Sequence, residues 1–228
     1  MVPTEHHGDQ WEPYVDNGGS TLAIAGEDFV VIGSDTRSSD GYNINTRYDP
    51  KAFKFTNNTV LATTGYRADC KSMAKSVQAQ ITKYAHDHGK EMSVEAMAQM
   101  LSIMMYQKRF FSYYVFPIVA GIDKEGKGAV YSYDPVGNME RVGFRAFGSS
   151  SALLQPFIDD QLGFKNRADI KPEERELHLP DLQQAKNIIT DVFNGAAERD
   201  IYTGDGLQLF TITKEGGIEL EELPLKRD

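Results

Sequence analysis

One cysteine stands in 228 residues, Cys70. No internal disulfide is possible, and the usage fits a reducing compartment, so a soluble, intracellular protein is expected. No apolar run approaches the ~18 residues a membrane span needs. Residues 1–16 carry no basic stretch followed by an apolar core, so they do not read as a secretory signal. No run of five or more basic residues occurs, and Lys plus Arg total 24 against 33 Asp plus Glu, a net charge of −9. That balance disfavours nucleic-acid phosphates and anionic membranes as partners. The common catalytic signatures are missing as well: no GxSxG, no HExxH, no P-loop and no GxGxxG. His6 and His7 lie in a polar N-terminal stretch, and His86 and His88 are two apart, which on a helix points them in different directions. No Cys/His cluster exists, and neither a metal nor a cofactor is expected.

What is present is a core. Hydrophobic residues make up 40% of the chain and aromatics 11%, which suits one globular domain. Residues 1–17 read as an extended arm, with Trp11 and Tyr14 available for docking on a partner, and 18–228 as the domain. A Gly18-Gly19 start leads into an apolar strand to Ala25. A Gly26-Glu27-Asp28 turn follows, then a second strand from Phe29 ending on Asp35-Thr36-Arg37. Ser38 to Asp49 reads as a polar loop, and Lys51–Phe55 and Thr59–Gly65 as strands.

The period then changes. Met73, Val77, Ile81 and Tyr84 predict a helix from Ala68 to His86, ended by His88-Gly89. Ser93 is the expected cap of a second helix carrying Val94, Met97, Leu101, Met104 and Met105. The five methionines between 92 and 105 read as core filling rather than a binding box. Strands are predicted at Tyr113–Ile122, Ala129–Tyr133 and Arg141–Phe147, with turns at 123–128 and 134–138. A helix opens after Gly148-Ser149-Ser150-Ser151. Lys165–His178 is a charged loop. Pro180 and Asp181 fit the first turn of a fourth helix, and strands at Leu207–Thr213 and Gly217–Leu223 close the chain. Strands in blocks and helices in pairs argue for an α+β chain and against a doubly wound parallel sheet. Two stacked antiparallel sheets with a helix pair outside each would bury all these faces.

Five stretches, read together, carry a resemblance: Gly18–Phe29, Ser34–Arg37, Lys108–Val115, Gly126–Gly137 and Ala197–Asp200. In this order they resemble proteasome β-type subunits, most closely the β-6 class, also called beta type-1, from about Asp16 to the C-terminus. The resemblance implies the four-layer αββα sandwich of N-terminal nucleophile hydrolases. In catalytic relatives the nucleophile is an N-terminal threonine whose own free α-amine is the base. Such an amine, of pKa about 8, accepts a proton at neutral pH as a peptide nitrogen cannot. An aspartate and a lysine tune it, the cation steadying developing negative charge.

On these motifs Asp35 matches the aspartate, Lys51 the lysine, Ser149 the serine that opens a helix, and Asp200 the second aspartate. Thr203 stands where a supporting serine is usual. The nucleophile position, sixteen residues before Asp35, is Gly19, which has no hydroxyl. The expectation is therefore no catalytic residue of its own, with Asp35 and Lys51 as a retained buried ion pair, and an arm that is not removed by self-cleavage. The alternative is an active hydrolase using Ser20 or Thr21. Along a strand Ser20 faces away from Asp35 and Lys51, and Thr21 lies roughly 7 Å further on. A stand-alone binding module of the same fold is a second alternative.

The resemblance further implies a structural subunit of the 20S core particle that degrades (ubiquitinated) proteins. Its expected partners are other β subunits in a heptameric ring, the opposite β ring, the α ring, and polypeptide substrates passing through the chamber. It also places Asp134 and Asn138 beside the substrate pocket of the β-5 neighbour.

Overall fold

The computed structural model describes residues 13–164, 169, 171 and 179–227. Trp11, His6, His7 and most of the charged loop 165–178 lie outside them. Strands β1 (Ser20–Ala25), β2 (Phe29–Asp35), β10 (Phe144–Gly148), β11 (Gly206–Thr213) and β12 (Gly217–Pro224) form one antiparallel sheet in the order β10-β1-β2-β11-β12. A second holds β5 (Ala52–Lys54), β6 (Thr59–Gly65), β7 (Val115–Ile122), β8 (Gly128–Tyr133) and β9 (Met139–Val142), in sequence order. A two-stranded ribbon, β3 (Ser38–Asp40) with β4 (Asn43–Thr46), stands apart. The helices are α1 (Arg67–His88), α2 (Val94–Tyr106), α3 (Ser151–Gln161) and α4 (Leu182–Ala197).

Three apolar clusters define four layers. Leu22, Ile24 and Val31 of the first sheet pack on Leu154 and Ile158 of α3 and on Ile189 and Phe193 of α4. Leu61, Val119 and Tyr131 of the second pack on Met73 and Val77 of α1 and on Met97 and Leu101 of α2. Between the sheets lie Ala23, Val30, Ile32, Val60, Ala62, Ile118, Ala120 and Phe210. Because β1, β2 and β6 are covered on both faces, every residue in them is buried and each reads as an unbroken run. Met97 and Met105 are fully buried in the α1/α2 cluster, as core fillers should be.

Three expectations are corrected. The stretch 141–147 is not one strand: it breaks at Gly143, where β9 leaves the second sheet and β10 joins the first. The Gly143 carbonyl, accepting from Ala25 N at 2.7 Å, fastens the crossing. The polar loop 38–49 contains the β3–β4 ribbon, whose turn uses Gly41 at φ +55. With no apolar alternation, that hairpin carries no strand signal. Pro180 precedes α4 rather than entering it. Asp181 is the N-cap, accepting from Gln184 N at 2.7 Å, and the Gln184 side chain accepts from Asp181 N in return.

Candidate functional site

The chain enters β1 through Gly19, at φ +83, a backbone region that side chains rarely adopt. An added Cβ there would stand 1.9 Å from Lys51 Cε and 2.8 Å from its Nζ. The lysine stem therefore fills the space a side chain at position 19 would take. Lys51 is fully buried and is fixed at its tip: Nζ donates to Arg37 O at 2.6 Å and Asp35 O at 3.0 Å, and lies 3.2 Å from Asp35 Oδ1. Three acceptors match the three N–H bonds of an ammonium.

Asp35, at the end of β2, is equally buried. It accepts from the backbone amides of Ser20 (2.8 Å), Arg37 (3.1 Å) and Gly204 (3.3 Å). Burial pushes the Asp35 carboxyl up and the Lys51 ammonium down, and their mutual attraction works against both shifts. The expected pair is thus present, and it ties β1 to β2 and to the loop before β11.

A second cluster forms where β10 runs into α3. Asp200 Oδ2 accepts from Ser149 Oγ and Ser150 Oγ, each at 2.6 Å, and from Thr203 Oγ1 at 2.8 Å. Burial alone would raise this carboxyl. The hydrogen bonds from Ser149, Ser150, Tyr202 N and Thr203 outweigh it and hold the group below the ordinary carboxylate range. Ser149 N donates to Gly19 O at 3.1 Å, which joins the cluster to the start of β1. The Ser20 hydroxyl points into this cluster, 2.9 Å from Thr203 Oγ1 and accepting from Ser150 N at 2.9 Å, while only its amide reaches Asp35. The Thr21 hydroxyl is buried and has no hydrogen-bond partner among the described residues. Neither hydroxyl is bonded to Lys51 or Asp35.

Two supporting ion pairs escaped sequence reasoning. Arg67, at the start of α1, clasps Asp49 with two hydrogen bonds of 2.7 and 2.9 Å and also reaches Pro50 O, fixing the approach to Lys51. Arg37 donates to Asp205 at 2.8 Å and to Ile201 O at 2.8 Å, fixing the loop that supplies Gly204 N. Arg67 and Asp49 stand 18 residues apart, and Arg37 and Asp205 stand 168 apart, and only the Arg37 placement, next to Asp35-Thr36, gave any local hint. Among the described residues no group of three or more His, Cys, Asp or Glu side chains is gathered to hold a metal ion.

The turn at 134–138 joins β8 to β9 and belongs to neither cluster. Asp134 Oδ1 accepts from Val136 N (3.1 Å) and Asn138 N (2.8 Å), and Ser102 Oγ of α2 donates to Gly137 O at 2.6 Å. The turn is thereby rigid, and between it and α2 lies a groove of about 380 Å³ lined by Ser102, Ile103, Tyr106, Gln107 and Val136 to Asn138.

Two antiparallel sheets between helix pairs, with β1 starting beside a buried Asp–Lys pair, define the αββα class of N-terminal nucleophile hydrolases. The chain belongs to the proteasome subunit family, whose family model, Proteasome subunit, matches residues 15–212. It is 47% identical to proteasome subunit beta type-1 of Danio rerio, covering 99% of this chain and 92% of that one. It is 48% identical to proteasome subunit beta type-1 of Drosophila melanogaster, covering 100% and 95%. It is 42% identical to proteasome subunit beta type-6 of Saccharomyces cerevisiae, covering 100% and 94%.

Proposed function

We propose that this chain is a non-catalytic β subunit of the proteasome core, active in the degradation of proteins through assembly and not through its own chemistry. The observation that carries the reading is at position 19: glycine supplies no hydroxyl, and Lys51 Cε fills the place of a Cβ. Asp35, Lys51 and Asp200 then act as structural ties. Ser20 and Thr21 do not take over, because the first hydroxyl is engaged by Thr203 and Ser150, and the second meets no base. The test is covalent labelling of the assembled core with an inhibitor of N-terminal nucleophiles. Label on other subunits and none on this chain is expected. Label on this chain refutes the reading.

The proposed partners are the other members of a seven-membered β ring, the opposite β ring and the α ring, in cytoplasm and nucleus. A stand-alone module would elute near the 25.5 kDa of one chain, whereas an assembled subunit elutes far above it. Within the ring, Asp134 and Asn138 border the substrate pocket of the β-5 neighbour. The rigid turn supports this, since a pocket wall lent to another subunit must hold its shape. Asp134→Ala should alter cleavage of that neighbour's substrates alone; an equal change in all activities, or no change, counts against it.

A further inference from the structure

Residues 14–18 make a specific set of contacts that neither the active-site remnant nor the neighbour's pocket explains. Asn17 engages the ribbon and α1 through its carbonyl and both polar atoms of its side chain. Its carbonyl accepts from Ser39 N at 3.1 Å, its Nδ2 donates to Ser39 O at 3.2 Å, and its Oδ1 accepts from Arg67 N at 3.0 Å. The last bond serves a helix start that lacks a cap of its own, because Tyr66 at the N-cap position makes no side-chain capping bond. Three residues earlier, Tyr14 enters an aromatic cage. Its ring stacks on Phe111 at 5.8 Å and meets Tyr114 at 5.6 Å and Tyr66 edge-on at 6.3 Å. Its hydroxyl donates to Ser112 O at 2.6 Å. Between the two anchors, Val15 and Asp16 are exposed.

We propose that the trough between β3 and the first turn of α1, ending in the Tyr66–Phe111–Tyr114 cage, is a peptide-binding site, and that residues 14–18 are its resident ligand. Its ligand class is an extended polypeptide with an aromatic residue three positions before an asparagine. The amide is read from both ends. An aspartate at position 17 would lose the Nδ2 donor and set a carboxylate oxygen against Ser39 O. A tyrosine is read by its ring and by its hydroxyl together, as amphipathic aromatics usually are when buried. The site is independent of whether position 19 is catalytic.

The test supplies the ligand in trans. Assembled core particle carrying this chain without residues 1–17 is titrated with a fluorescent synthetic peptide of residues 13–18, followed by anisotropy. Saturable binding is expected, about tenfold weaker or worse for the N17D and Y14A peptides, the loss of roughly one hydrogen bond or one buried ring. Particles with the full arm should not bind it. Equal binding to full and truncated particles, equal affinity of the variant peptides, or no binding to an assembled truncated particle would each overturn the proposal. Should the truncated chain fail to assemble, full-length Asn17→Asp particles are measured by amide hydrogen exchange. Faster exchange at Ser39 and Arg67 with unchanged β2 amides supports the site, and unchanged exchange at both overturns it.

Discussion

Placing a hydroxyl at position 19 by Gly19→Thr should not create a nucleophile. The new Cβ would lie 1.9 Å from Lys51 Cε and 2.9 Å from Cδ, and the backbone at φ +83 is hostile to a β-branched residue. If Lys51 stays, threonine costs about 1–3 kcal/mol for the left-handed backbone and about 1–3 kcal/mol for overpacking. If Lys51 yields, its three acceptors lose their donor and Asp35 is left buried without its cation, a loss of about 3–5 kcal/mol. The first course destabilises the variant by roughly 2–6 kcal/mol, and the second, with the backbone strain added, by roughly 4–8 kcal/mol, a large share of an ordinary domain's margin. Gly19→Ala, which adds the same Cβ without the hydroxyl, should cost nearly as much, because the clash belongs to the carbon. Two measurements decide it. Thermal melting of assembled particles should show both variants destabilised alike. Labelling with an N-terminal-nucleophile probe, followed by intact mass, should show an unlabelled chain. A labelled chain that begins at residue 19, with unchanged melting, would refute the reasoning, since it would mean that Lys51 moves aside cheaply and the site is competent.

Asp35→Asn leaves the Lys51 ammonium in the interior beside an amide, and should lower stability by about 3–5 kcal/mol in denaturant titrations; adding Lys51→Met should recover part of that, and a double variant as unstable as the single would count against the ion-pair account. Asp49, Asp200 and Asp205 all titrate below the ordinary carboxylate value; burial alone would raise each, but hydrogen bonds and, for Asp49 and Asp205, arginine partners outweigh it. A depressed folded-state pKa gives stability that is complete above the unfolded value of about 3.9 and lost as pH falls through the folded value. These three carboxylates should therefore add no slope to the melting temperature above about pH 4 and lower it below that, and Asp205→Asn, which removes one of them, should shallow that acid drop; an unchanged acid limb would be the contrary result.

The fold was legible where burial and period agree. The runs of β1, β2 and β6 and the four-three spacing of α1 announce themselves, because each buried face forces apolar residues at fixed intervals. The ribbon β3–β4 was not legible, since its strands are short and mostly polar and its side chains carry no alternation. The break at Gly143 was hidden for a different reason: β9 and β10 are both plausible strand sequence, and only the change of sheet partner separates them. In the site, Asp35, Lys51, Ser149 and Asp200 were named by resemblance, and the structure gathers them in two clusters joined through Ser20, Gly19 O and Thr203. Tyr14 was expected to be available to a partner, and it is instead held by the chain's own Phe111, Tyr114 and Ser112. Asn17 gave no signal, because its value lies in three acceptors and donors brought together from β3 and α1.

The energetics of the site explain how chemistry could be absent while its surroundings persist. A nucleophile's hydroxyl contributes little to the fold, so a glycine in its place removes one group and leaves no buried charge behind. The supporting residues are different. Asp35 satisfies three backbone amides from three separate segments as well as Lys51. Asp200 collects three hydroxyls that bind β10, α3 and the loop before β11 to one another. Removing either strands several buried polar groups at once, each costing about 1–3 kcal/mol. The asymmetry means that an αββα chain can lose its reaction in one step and still need nearly all of the machinery built around it. On that argument the buried Asp–Lys pair speaks to folding, and the proposal that this chain has no chemistry of its own rests on the glycine at position 19.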